Sequence, residues 1–237
     1  MKTSYFTHRH VIVYWLILVI CFGCTDQESR FAKNQLTDNT LRGKVLMLDF
    51  NESVVEVEVL GRSQNLAEKI PGKVGSRLSL QVQPGDLALL DNQEYFMGKL
   101  QESFSSTAGK TFLLYNVWPD DPAERIRVKN VNRILRRNTL SLGESVVRTI
   151  GDNLPPFALY DQDGEVITTD FFDGSVTVLN FIFSRCSVAE MCPAATMKMK
   201  KLQELAEKTK IPHIRFLSIT LDPIFDSPGV LKSYARG

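Results

Sequence analysis

The chain has 237 residues, a hydrophobic fraction of 43% and a formal net charge of +1 at pH 7. This charge balance argues against nucleic acid as a partner, because domains that bind nucleic acid usually carry a strong excess of Lys and Arg. The composition is that of an ordinary globular protein with enough apolar residues for a packed core.

Residues 1–23 have the pattern of a secretory signal peptide. Lys2 and Arg9 precede the apolar run 11–22, which is shorter than the roughly 20 residues that span a membrane. Gly23 and Cys24 follow, and this pair resembles the end of a bacterial lipoprotein signal, which implies that Cys24 carries lipid and becomes the N-terminus. An uncleaved signal anchor is the alternative. In both cases we expect a chain tethered to the cell membrane and facing the periplasm or another extracytoplasmic space.

A polar segment and then a β-rich region follow the signal. Residues 24–40 lack an apolar period, which predicts a flexible tether. Residues 41–118 contain short segments rich in Val, Leu and aromatic residues, separated by turn residues. The predicted strands are Gly43–Leu48, Val54–Leu60, Arg77–Val82, Asp86–Leu90, Tyr95–Leu100 and Thr111–Val117. Such strands are typical of small domains that close to avoid exposed edges, so we predict an OB-like β-barrel.

Residues 119–153 are predicted to connect this barrel to a further domain. They include two basic stretches, Arg125–Lys129 and Arg133–Arg137. The pattern favours the solvated face of a helix or strand. Attraction to anionic lipid head groups is the alternative for a membrane-tethered protein.

Residues 154–237 alternate between strand and helix patterns, which predicts an α/β domain. The turn sequence Asp161–Gly164 separates two short strands of a hairpin. The apolar run Val176–Phe183 predicts a strand, and apolar spacings of three and four predict a helix from Pro193 to about Thr209. Ile214–Leu221 is the next predicted strand, and it should lie parallel to the first because strand-helix-strand units cross over onto the same sheet.

Cys186 and Cys192 lie between the first of these strands and the helix. Cys192 precedes Pro193, and proline is favoured in the first turn, so Cys192 should cap the helix or stand next to its cap. A thiolate there is stabilised by the helix dipole. This placement favours redox exchange or binding of a soft metal. A structural disulfide and simple burial of two small side chains are the alternatives.

The predicted topology also indicates which other polar residues lie near the two cysteines. His213 is the one histidine outside the signal, and it begins the second strand. It should therefore lie at the opposite end of the sheet from Cys186 and Cys192, and we do not expect it to be a ligand. Asp222 and Asp226 should return to the cysteine end, where open α/β sheets place their sites. They fit a turn and a helix cap equally well.

Four motifs stand out in this region. They are Leu154–Gly164, the strand end Asn180–Phe183, the segment from Cys186 to Pro193, and Asp222–Pro228 with Leu231 and Tyr234. Together they resemble the SCO/SenC family of thioredoxin-like, membrane-tethered copper proteins that serve cytochrome oxidase assembly. The resemblance covers about residues 130–237.

The resemblance implies copper as the bound metal, held by Cys186 and Cys192. It implies that the partner is a cytochrome oxidase subunit or another copper protein. It also implies that the N-terminal lipid attaches the protein to the membrane. The family usually has three residues between its cysteines, whereas five stand here. The family's histidine ligand lies well downstream of the Asp-Pro motif, so we expect the thioredoxin-like domain to be incomplete at its C-terminus, Gly237.

The barrel region is similar in position to a small copper-binding domain of the CusF type that precedes some family members. The methionine-rich copper motif of that domain is missing, so no ligands are assigned in residues 41–118. The leading hypothesis is a copper metallochaperone rather than an enzyme, with no catalytic residues assigned. Because thiolates are soft ligands, Cu(I) is the expected ion. A thiol-disulfide oxidoreductase that uses Cys186 and Cys192 as a redox disulfide is the alternative. A lipoprotein with a degenerate, non-catalytic second domain is the third.

Overall fold

The computed structural model describes residues 39–70, 73–105, 109–143 and 147–236. The predicted signal peptide, the lipidation site Cys24 and most of the predicted tether lie outside the described residues. Within the described ranges, no helix is both long enough and apolar enough to cross a membrane.

The first unit is a closed barrel of five strands. They are β1 (Thr40–Asp49), β2 (Val54–Arg62), β3 (Arg77–Val82), β4 (Tyr95–Ser105) and β5 (Gly109–Pro119). The order around the barrel is β1-β2-β3-β5-β4, and β1 pairs with β4 to close it. The pairing of β3 with β5 is parallel, and the other pairings are antiparallel. The prediction of a closed β-barrel is confirmed.

The alternation of side chains along the strands builds the barrel core. Val55, Val57 and Val59 on β2 are fully buried, because every second residue of a strand points to the same face. Leu114 and Val117 on β5 are also fully buried. A single apolar cluster therefore fills the barrel, and the sheet has no free edge in the described strands.

Two short helices belong to this unit, and one corrects a predicted strand. Helix α1 spans Gln64–Lys69 and helix α2 spans Pro84–Leu90. The predicted strand Asp86–Leu90 is wrong, because Pro84 starts a helical turn there and the run is buried on several sides of that helix. A short apolar run buried all round has no period that separates strand from helix.

The region between the two units is also helical. Helix α3 spans Pro122–Leu142, and Asp121 caps it by accepting hydrogen bonds from the N–H groups of Ala123 and Glu124. The Asn132 side chain pairs with both backbone groups of Ala158. Helix α3 has no fully buried residue. It thus lies along the surface of the molecule.

The second unit contains a hairpin and a parallel strand pair. The hairpin is β6 (Ala158–Tyr160) with β7 (Val166–Thr168), and a 3-10 turn covers Thr169–Phe172. The remaining elements are β8 (Val176–Ile182), α4 (Cys192–Thr209), β9 (Ile214–Thr220) and α5 (Pro228–Arg236). Strands β8 and β9 pair in parallel, from Val176 opposite Ile214 to Ile182 opposite Thr220. The predicted strand-helix-strand unit is confirmed.

The two units touch through α2 and α5. Gly85 lies so close to Gly229 that a Cβ at Gly85 would overlap the Gly229 carbonyl. The Asn116 side-chain amide donates to the carbonyl oxygen of Ile224 at 3.0 Å. Lys232 and Asp163 form an ion pair at 2.7 Å within the second unit, beside this contact. The start of α5 is consequently buried against the barrel.

Candidate functional site

The two cysteines lie at the C-terminal end of β8. The strand ends at Ile182, and the backbone N–H of Cys186 donates to the Phe183 carbonyl oxygen at 2.9 Å, which turns the chain. Helix α4 begins at Cys192, with Pro193 in its first turn. The loop between the two cysteines therefore starts at a strand end and finishes at a helix start.

The thiols of Cys186 and Cys192 are free and half-exposed, and they lie close enough that each shifts the pKa of the other. The Cys186 Sγ atom also lies 3.8 Å from the carbonyl oxygen of Val188. Because the loop returns the chain to the same place, two residues six positions apart present their sulfur atoms together. A single soft ion or a disulfide bond fits such a pair.

The surroundings of the two sulfur atoms make them chemically unequal. The pKa of Cys186 is lowered, mainly because its sulfur accepts a hydrogen bond from the backbone N–H of Cys192 and then from that of Val188. The pKa of Cys192 is raised, first by partial removal from water and then by its hydrogen bond to Cys186. The first proton to leave the pair thus belongs mainly to Cys186, with Cys192 as the donor to its thiolate.

Asp226 is a buried carboxylate that joins the ends of the two parallel strands. It accepts hydrogen bonds from the hydroxyl groups of Ser184 and Thr220, and from the backbone N–H of Ser184 at 3.4 Å. Ser184 stands two residues before Cys186, and Thr220 ends β9. Asp226 therefore fixes the start of the cysteine loop to the next strand.

Asp222 lies on the outer side of the same end of the sheet. Its carboxylate pairs with the Arg185 guanidinium, and this hydrogen bond lowers the pKa of Asp222. The guanidinium also lies over the ring of Phe225, 4.2 Å from the ring centre. A cation next to Cys186 in sequence is thus held by a carboxylate and an aromatic ring.

His213 lies at the other end of the sheet. Its carbonyl oxygen accepts from the N–H of Val176, the first residue of β8. The cysteines follow the last residue of β8, and seven strand residues separate the two ends by roughly 20 Å at about 3.3 Å per residue. The structure does not bring His213 to the thiols.

Within the described ranges, no group of three or more His, Cys, Asp or Glu side chains is arranged to hold a metal ion. The chemistry available at this end of the sheet is that of two sulfur ligands. Thiolate pairs suit soft ions such as Cu(I), whereas harder ions prefer oxygen and imidazole. The donor set therefore fits Cu(I).

Sequence reasoning missed three residues of this site. They are Ser184, Arg185 and Thr220. The position of Arg185 beside Cys186 was a signal for it, because basic groups near a thiol bear on its reactivity. The two hydroxyl residues carry no comparable signal, since only the fold shows that they contact Asp226.

Comparison with known proteins identifies the class of this region. Residues 149–237 match the family model described as SCO1/SenC. The resemblance of this region to the SCO/SenC family is thus confirmed.

Individual relatives agree with the family match. An SCO2-like protein of Rickettsia felis is 35% identical over 97 residues, which cover 41% of this chain and 44% of that protein. The SCO1 protein homolog of Bacillus subtilis is 30% identical over 93 residues, covering 39% of this chain and 47% of that protein. The crystal structure of a SCO1/SenC family lipoprotein from Bacillus anthracis is 33% identical, covers 38% of this chain and 53% of that chain, and gives a TM-score of 0.35. The chain spans less than half the length of the two curated relatives.

Proposed function

We propose that this protein is a membrane-tethered copper metallochaperone that binds Cu(I) through Cys186 and Cys192 and serves the assembly of cytochrome oxidase. The observation that carries the proposal is that two free, half-exposed thiols lie together between the end of β8 and the start of α4. A digonal pair of thiolates holds Cu(I) and leaves it open to a partner's thiol or thioether. Exposure of the loop allows such a partner to reach the metal.

The SCO1/SenC match supports this assignment, because copper and cytochrome oxidase are what the family resemblance implies. On this proposal residues 154–237 contribute a thioredoxin-like domain, and the partner is an oxidase subunit or another copper protein. Asp226 and the Arg185–Asp222 pair hold the cysteine loop in place beside the metal.

The proposed tether is a lipid on Cys24, which places the protein on the extracytoplasmic side of the cell membrane. The support is the short apolar run that ends in Gly23-Cys24. Labelled palmitate should enter the protein, and Cys24→Ala should abolish the labelling. A Cys24→Ala protein that is still processed and membrane-bound would contradict the lipoprotein assignment.

Copper binding is tested by titrating the reduced, anaerobic chain with Cu(I) in competition with a chromogenic chelator. We expect one Cu(I) per chain, and we expect Cys186→Ser and Cys192→Ser each to abolish it. His213→Ala is the matched control, because it removes the distant histidine. Loss of Cu(I) in this control, or retention in either cysteine variant, would contradict the assignment.

The lowered pKa of Cys186 supports thiol-disulfide exchange as a second candidate function. In the forward step the Cys186 thiolate attacks a partner disulfide, forms a mixed disulfide and releases one partner thiolate. Cys192 then loses its proton and attacks the Cys186 sulfur, which releases the second partner thiolate. The partner is reduced by two electrons, and the cysteine pair becomes a disulfide. Cys192→Ser should trap the mixed disulfide, and Cys186→Ser should not.

A further inference from the structure

Helix α3 carries an unusual concentration of positive charge for a chain that is nearly neutral overall. It contains six basic residues and one acidic residue, Glu124, at its first turn. No acidic residue occurs from 125 to 143. The six basic residues and one acidic residue give this surface helix a formal net charge of +5, against +1 for the whole chain.

The helix has two faces. One face packs on the second unit, where Asn132 holds Ala158, and its neighbours on that side are half-buried. At 100° per residue, Arg133 and Arg137 fall about 100° and 140° from Asn132, on the outward side, and Arg136 falls about 40° from Asn132, at the edge of the packed face. All three are exposed, and within the described part of the chain none of them forms an ion pair. Their charges face solvent.

Large apolar side chains share this outward surface. Ile126 is 60% exposed, Ile134 is 44% exposed and Leu140 is 72% exposed. Val147 and Ile150 continue the exposed apolar positions beyond the helix. A purely solvated helix face would be polar here, whereas a helix that lies in a membrane interface combines Lys and Arg with exposed apolar residues.

We propose that α3 docks this protein on an anionic phospholipid surface, with its arginines at the head groups and its exposed apolar residues at the acyl boundary. Charge complementarity favours lipid phosphate, because the outward face is basic and lacks carboxylates. The interleaved apolar residues favour a membrane over nucleic acid, which would be bound by the charges alone. The inference does not depend on copper binding at the cysteines.

The experiment is hydrogen exchange on the full chain, reconstituted once in phosphatidylcholine vesicles and once in vesicles that also contain phosphatidylglycerol. Any N-terminal anchor is present in both samples, so the difference between them reports the lipid charge. We expect amides 126–140 to exchange several-fold more slowly on the anionic vesicles. Molar salt should remove the difference, because it shortens the screening length to a few ångströms.

Two variants and a control make the result specific. Arg133→Glu/Arg137→Glu should abolish the extra protection, and Ile126→Asn/Leu140→Asn should reduce it without changing the charge. The control Lys198→Glu/Lys201→Glu changes the net charge by the same amount at exposed positions of α4. This control should keep the extra protection of α3 on the anionic vesicles. Exchange of α3 on phosphatidylcholine shows whether each variant keeps its helix. Equal exchange of wild-type α3 on both kinds of vesicle, or equal loss in the α4 control, would overturn the proposal. Equal exchange on both kinds of vesicle would mean that the outward face of α3 is solvated or binds an acidic protein.

Discussion

The barrel and the cysteine-bearing unit differ in how they bury their apolar residues. In the barrel, five strands close on themselves, and β2 alone contributes three fully buried valines. In the second unit, β8 has a single neighbour among the described strands, and Leu179 and Phe181 are 40% and 54% exposed. The barrel is therefore expected to be rigid by its own packing. The cysteine site depends instead on specific polar contacts, with Asp226 at their centre.

The difference explains why the site is held by hydrogen bonds. Burial of apolar area contributes little around Cys186, so the loop needs Asp226 and the Arg185–Asp222 pair to keep its shape. Contact between α2 and α5 links these polar contacts to the barrel, because Asp226 lies two residues before Pro228, the buried first residue of α5. The barrel thus helps to fix the position of the cysteine loop through this contact.

The largest expected effect comes from a matched pair of leucine truncations. Leu114→Ala in the barrel should lower the opening free energy of the barrel amides by about 2–5 kcal/mol, since it removes a fully buried side chain. Leu179→Ala on β8 should cost under about 1 kcal/mol, because that side chain is already partly in water. Hydrogen exchange of the barrel amides and of the β8 amides measures the two losses of opening free energy. Equal losses of opening free energy in the two variants would show that the Leu179 side chain of β8 is buried in solution.

A second prediction concerns Asp86, which is buried at the contact between the two units. Burial raises the pKa of Asp86 from 3.8 to about 7, and the backbone groups of Val117 and Asn116 offset this only in part. A carboxyl whose pKa is higher in the folded than in the unfolded chain makes folding less favourable as pH rises from about 4 to 7, and its effect is constant above that range. The loss amounts to about 1.4 kcal/mol per pH unit within the window.

Asp86→Asn should flatten this pH dependence and make the barrel more stable than the wild type at pH 8, with little difference at pH 4. Hydrogen exchange of the barrel amides, corrected for the intrinsic rate at each pH, gives the comparison. Asp91→Asn is the control, because Asp91 is an exposed carboxyl at the other end of α2. An unchanged pH dependence in Asp86→Asn would mean that this carboxyl is hydrated or paired.

A smaller effect is expected within the cysteine pair. Near neutral pH Cys186 should be alkylated by iodoacetamide several-fold faster than Cys192, because its lowered pKa raises its thiolate fraction. Mass spectrometry of the two peptides after brief labelling measures the ratio. Unfolding in guanidinium should bring the two rates together, since the backbone donors are then lost. Faster labelling of Cys192 would reverse the assignment of the first thiolate.

Local patterns were sufficient to predict the elements whose signals are periodic or well bounded. The parallel pair β8–β9 and helix α4 follow from apolar runs and spacings of three and four. The placement of His213 away from Cys186 then follows from the topology alone. These features depend on residues close together in the sequence.

Features that depend on contacts between distant residues could not be predicted from the sequence. Helix α2 was predicted as a strand because its apolar run is buried on several sides, partly by α5, which lies about 140 residues later. Asp86, in Pro-Gly-Asp, has the sequence of an exposed turn, and nothing local shows that Gly229 packs on it. Ser184 and Thr220 become part of the site only when Asp226 joins them.

The most direct test of the proposed function is X-ray absorption at the copper edge of the reduced chain loaded with one Cu(I). We predict a first shell of two sulfur atoms, from Cys186 and Cys192, and the same spectrum in His213→Ala. Double replacement of the two cysteines by serine should leave no bound copper after the same loading. A first shell dominated by nitrogen or oxygen, or copper retained by the double variant, would contradict the thiol pair as the copper site.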